Sequence, residues 1–109
     1  MTEIEEINTA LINFRNERDW EQFHNSKDLA VAISVEANEL LEAFLWKKPE
    51  DASSEKIKEE LADIFAFAFL LAQKHGFNVK EIVLEKIGAN AEKYPVDKSK
   101  GTSKKYNQL

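Results

Sequence analysis

The chain has 109 residues, a net charge of −5 and no cysteine, which excludes a disulfide frame and a thiolate metal site and argues against general nucleic-acid binding. Its 43% hydrophobic content suffices for one core, but a domain this small buries little surface by itself, so self-association is expected. Met1 leads straight into polar sequence, so no signal peptide is expected; with the missing cysteines, this fits a reducing cytoplasm.

Charge is unevenly spread. Residues 1–92 carry a balance of −9, and residues 93–109, with five Lys and one Asp, a balance of +4. This divides the chain into a helical domain over 1–95 and a basic tail over 96–109.

In chain order, Thr2-x-x-Glu5 reads as a capping box, and Ile4, Ile7, Leu11 and Phe14 follow at helical spacing. A first helix over about 3–17 results. Arg15–His24 is polar with two aromatics, Trp20 and Phe23, and reads as a connection whose rings plug the bundle end or line a pocket. Ser26 is the expected N-cap of a second helix that ends by Lys47-Lys48-Pro49. Ser53 or Ser54 caps a third, which stops at Lys74-His75-Gly76. Asn78 caps a fourth, with an apolar face of Ile82, Val83, Ile87 and Ala91, ending near Tyr94-Pro95. Val96 to Leu109 reads as an extended tail. The fold class is therefore all-α.

The third helix carries the most unusual stretch. From Leu61 to Ala72 every residue is apolar except Asp63. Twelve residues are too few to cross a bilayer, which takes about 20, so no membrane is expected. The run reads as a core helix, and a core carboxylate needs a cation, a metal or a proton. Glu60 lies three residues before Asp63, on the same face. The second helix repeats the spacing with Glu36 and Glu39, flanked by Val35, Ala37, Leu40 and Leu41. One such pair alone is most simply a solvated face. Two pairs, one of them inside an apolar run, meet in one cluster if the helices pack antiparallel. Four carboxylates without histidine favour hard cations, Mg²⁺ or Mn²⁺. A di-iron bundle wants Glu-x-x-His on two helices, and neither His24 nor His75 stands at that spacing.

With both motifs in hand, the chain resembles the MazG-like all-α nucleoside triphosphate pyrophosphohydrolases, most closely the dCTP pyrophosphatase branch. The resemblance rests on Glu36-x-x-Glu39 and Glu60-x-x-Asp63 with their linker length. It extends to Glu17-Arg-Asp-Trp-Glu-Gln-Phe-His24, Glu42-Ala-Phe-Leu-Trp46, Lys86-x-x-x-Asn90-x-x-Lys93-Tyr94-Pro95 and Ser103-Lys-Lys-Tyr106. It implies a four-helix bundle-like fold assembled as a dimer or dimer of dimers. It also implies Mg²⁺-dependent cleavage of a nucleoside triphosphate between its α and β phosphates. Glu36, Glu39, Glu60 and Asp63 would be metal ligands, and Glu39 or Glu36 would orient or deprotonate the attacking water. Trp20 and Trp46 match positions that pack around the base; Lys86, Asn90, Lys93 and Tyr94 match positions near phosphate and sugar. Phe67 departs from relatives that carry Tyr there and lacks that hydroxyl. Lys86 and Lys93, two helical turns apart, can share a face and offset charge on the leaving pyrophosphate. The rival from another class is a nucleotide-sensing or partner-binding helical module without turnover.

Overall fold

The computed structural model describes all residues, Met1–Leu109. It contains helices and turns and no strand. The long helices are α1 (Glu3–Glu17), α2 (Ser26–Glu42), α3 (Ser54–Lys74) and α4 (Val79–Lys93), followed by a short α5 (Val96–Ser99). Single 3₁₀ turns lie at Glu21–Phe23, Pro49–Asp51 and Tyr106–Gln108. The chain forms two compact units, Met1–Gly76 and Phe77–Leu109.

Local chemistry explains the helix ends. At α1 the Thr2 hydroxyl accepts from the Glu5 amide, and the Glu5 carboxylate accepts from the Thr2 amide at 2.9 Å, closing the capping box. The cap of α2 is Asn25 and not Ser26. Asn25 Oδ1 accepts from the Asp28 amide at 2.8 Å, while its Nδ2 donates to the Asp28 carboxylate. Asn offers both an acceptor and a donor where Ser offers one hydroxyl, so it satisfies the helix start and the first-turn acid together. Ser53 and Asn78 cap α3 and α4 as the sequence predicts. Gly76, at φ 70°, follows the C-cap His75 and lets the chain leave α3. The tail is less extended than expected, since α5 and the last 3₁₀ turn interrupt it.

In the first unit α2 and α3 are the main packed pair, and α1 lies against α3. The Ser26 hydroxyl and His75 Nε2 are 2.9 Å apart, so the start of α2 meets the end of α3 and the pair is antiparallel. The small core sits near that end: Leu29, 2% exposed, with Leu70 and Ala72 of α3. Ala43, just past α2, is also buried. Fully burying a leucine contributes about 2 kcal/mol, so these few positions supply only part of what a stable domain needs.

Much apolar surface stays open. Leu61 and Phe65 of α3 and Val31, Val35 and Leu41 of α2 are exposed, and α4 has no buried residue. Ile7 and Leu11 of α1 with Ala62, Phe65, Ala66 and Phe69 of α3 line an apolar groove of about 440 Å³. The third helix is thus not the fully enclosed core helix that its composition predicts. Its solvent side mixes Leu61, Ala62 and Phe65 with charged residues such as Lys58, Glu59 and Asp63.

Candidate metal centre and nucleotide-binding residues

The antiparallel register brings the second half of α2 beside the first half of α3. Glu36, Glu60 and Asp63 each present a carboxylate oxygen within 4.8 Å of the others. Glu39 lies outside that mutually close set, but its carboxylate still acts on both Glu36 and Glu60. The burial order differs from the sequence expectation. Glu60 is the buried acid, 4% exposed, and Asp63 is exposed. Glu60 faces α2, whereas Asp63 stands on the margin of the contact, where the neighbouring Leu61 and Ala62 are also open.

Three acids so close cannot all be ionised without compensation. The structure shows two forms of it. Lys56, one turn before Glu60 on α3, places Nζ 2.8 Å from Glu60 Oε1. That contact, ahead of the one with Glu36, holds the Glu60 carboxyl below its ordinary range. A shared proton supplies the second. Hydrogen bonding to Glu60, then burial, then the Glu39 and Asp63 charges, push Glu36 up from 4.5 to about 7. With every acid ionised, Glu36 Oε2 and Glu60 Oε2 are buried acceptors with no donor. Two such oxygens on neighbouring acids suit a hard divalent cation, which takes oxygen ligands and supplies the missing positive charge.

The proton on Glu36 has a measurable consequence. Between pH 4.5 and about 7 the folded chain holds a proton that the unfolded chain has released. This contribution to stability is complete below pH 4.5 and is lost as pH rises through about 7. Urea unfolding of the metal-free protein across that window should show the decline, and Glu36→Gln should flatten it. An equal slope in both proteins would contradict the shared proton.

The other predicted residues fall in two groups. Trp20 is part of the first unit. Its ring meets Phe14 edge-on at 5.7 Å, and Arg18 lies 3.7 Å from the Phe14 ring centroid. Asp19, at φ 54°, turns the chain sharply after α1, and Gln22 Nε2 donates to its carbonyl oxygen at 3.0 Å. Trp46 follows α2, where bonds such as Phe44 to Leu41 and Leu45 to Glu42 tighten the last turns. It is 99% exposed and sits at φ 62°. Phe67 is half-buried on α3. Lys86, Asn90, Lys93 and Tyr94 belong to the second unit. There the Tyr106 ring is held between Tyr94, edge-on at 6.1 Å, and the Lys93 ammonium at 5.0 Å, which ties the tail to the end of α4. Lys86 and Asn90 are exposed on α4.

Sequence reasoning missed Lys56. Its signal is a Lys four residues before an acid on one helix, a spacing common enough on solvated surfaces to attract no notice. Only the burial of Glu60 gives it weight.

Comparison with known proteins gives the family. Residues 31–109 match the MazG-like family, a span that contains both acidic motifs. The dCTP pyrophosphatase 1 of Bos taurus is 35% identical over 97% of this chain and 68% of its own length. That of Homo sapiens is 33% identical over 97% of this chain and 67% of its own. A pyrophosphatase from Archaeoglobus fulgidus superposes with a TM-score of 0.78, covering 87% of this chain and 94% of that one at 34% identity. On the acidic helices, the fold and these relatives together, the chain belongs to the MazG-like family of nucleoside triphosphate pyrophosphohydrolases, near the dCTP pyrophosphatase branch.

Proposed function

We propose that the protein is a Mg²⁺-dependent hydrolase that cleaves a deoxynucleoside triphosphate, dCTP or a noncanonical relative, between the α and β phosphates, releasing monophosphate and pyrophosphate. The observation that carries this reading is the buried Glu60 within 4.8 Å of Glu36 and Asp63, with one unpartnered buried oxygen on each of Glu36 and Glu60. Glu36, Glu60 and Asp63 would hold the ion directly, with Glu39 completing the set. Mg²⁺ or Mn²⁺ there would supply Lewis-acid chemistry: it offsets the triphosphate charge and acidifies water. The chain has a net charge of −5 and needs such an ion to attract a polyanion.

Among the acids, Glu39 is the general base of this proposal. It lies near the three close carboxylates without being one of them, so it could complete the metal set through one oxygen and orient a water with the other. Trp46 and Trp20 offer aromatic faces for the base, and Phe67 offers an apolar wall without a hydroxyl. Lys86, Asn90, Lys93 and Tyr94 are the residues proposed to meet phosphate and sugar. The dCTP preference follows from the relatives' own activity.

The active form is a homodimer or a dimer of dimers. The exposed apolar residues of α2, α3 and α4 and the groove at Phe65 support it, because apolar surface of this kind marks contact sites.

One experiment tests the reading. The protein is incubated with each deoxynucleoside triphosphate and Mg²⁺, and products are separated. Monophosphate and pyrophosphate should appear together, with dCTP among the best substrates. Orthophosphate as the first product would reject the cleavage position, and binding without product would favour the nucleotide-sensing module. Sedimentation of the same sample should give at least twice the chain mass of 12.5 kDa.

A further inference from the structure

The acidic pocket already contains one cation, and the chain supplies it. Lys56 reaches Glu60 with Nζ 2.8 Å from Oε1, and it is the one lysine in an ion pair with any of the four acids. The two partners are unequally buried. The Glu60 side chain is 6% exposed and cannot turn to water; the Lys56 side chain is 47% exposed and can. Glu60 therefore stays where it is, and the lysine is the mobile member. The other Glu60 oxygen has no partner, and neither does Glu36 Oε2. The pocket thus keeps capacity for a cation beyond what the ammonium satisfies.

An ammonium is a compact point charge on a flexible stem. A divalent ion coordinated by Glu60 would stand within a few ångströms of it, and two cations at that range repel. They also want the same oxygen. We propose that Lys56 is a tethered competitor: its ammonium holds Glu60 ordered in the metal-free protein and yields that carboxylate when a divalent cation enters the pocket. This rests on the carboxylates' being a metal site. It adds that the chain weakens its own metal affinity so that the empty site is not a cluster of uncompensated acids. The arrangement raises the cation concentration at which the pocket fills.

The test is Mg²⁺ and Mn²⁺ titration by calorimetry, without nucleotide, on the full-length protein and three variants. Lys56→Met and Lys56→Gln remove the charge, and Lys56→Arg keeps it. Both neutral variants should bind the ion about tenfold more tightly, and Lys56→Arg should stay within about twofold of the parent. The melting temperature gives a second readout. Without metal the neutral variants should melt lower than the parent, and saturating Mg²⁺ should raise them by more, as mass action requires. If one neutral variant fails to fold, the other decides. Equal or weaker binding in the folded neutral variants would overturn the proposal while leaving the metal site intact. Absence of any metal binding by the parent protein would overturn both.

Discussion

Asp63→Asn should reduce pyrophosphate release by roughly a thousandfold, the scale on which preorganised charge stabilisation acts in enzymes, and should leave the fold untouched. Asn keeps the shape of Asp and loses its charge. Asp63 is exposed and makes no ion pair, so the substitution leaves no buried group unpaired. It also removes one of the negative charges that push on Glu36. The metal-free variant should therefore melt at the parent's temperature or slightly above it. Losing function while keeping or gaining stability is the mark of a residue kept for chemistry. Glu60→Gln differs, since it also strands Lys56 and disturbs a buried contact; its loss of activity would be accompanied by loss of stability. Product release after single-turnover mixing, with circular dichroism on the same samples, separates the two. Parent-like turnover in Asp63→Asn would remove that residue from the site.

The second large effect is expected at Trp46. A bulky residue at φ 62° is a backbone outlier, and such strain costs of order 1 kcal/mol or more unless something requires it. The turn that the Lys47 amide closes on the Phe44 carbonyl at 3.1 Å accounts for the backbone, but no packing within the chain holds the side chain, which is 99% exposed. In the proposed function this exposed indole, just past the acidic helix, would stack on the base. Stacking contributes about 1–3 kcal/mol per base, so Trp46→Ala should raise KM by about tenfold to a hundredfold. Trp46→Gly should raise it equally and also relieve the strain, melting no lower than Trp46→Ala. kcat should change less than KM in both, since in the proposed role the ring would meet the base and not the reacting phosphate. A KM unchanged in either variant would remove Trp46 from the nucleotide site.

Much of this was legible in the residues. The capping box at Thr2, the caps at Ser53 and Asn78 and the stop at His75-Gly76 are local signals, decided within four residues of chain, and the structure follows them. The Asn25 cap was less visible, because Ser26 is as good a cap on sequence grounds. Its hydroxyl is taken instead by His75, 49 residues away. The closeness of Glu36, Glu60 and Asp63 was readable from two repeated spacings. Which acid would be buried was not. An apolar run says that a helix packs, but not how its faces divide between neighbour and solvent. Asp63, embedded in that run, turned out exposed, and Glu60, preceded by charged residues, turned out enclosed. Lys56 escaped notice for the same reason, since its role depends wholly on the burial of its partner.

The thin interior has a consequence for how the protein behaves in a tube. Only Leu29, Ala43, Leu70 and Ala72 are buried apolar side chains, while Phe65 is 58% exposed. If association covers those faces, folding and assembly become one equilibrium, and the apparent melting point will climb with protomer concentration. Dilution would then act as a denaturant, and activity per chain would fall in weak solutions before any ligand or metal becomes limiting.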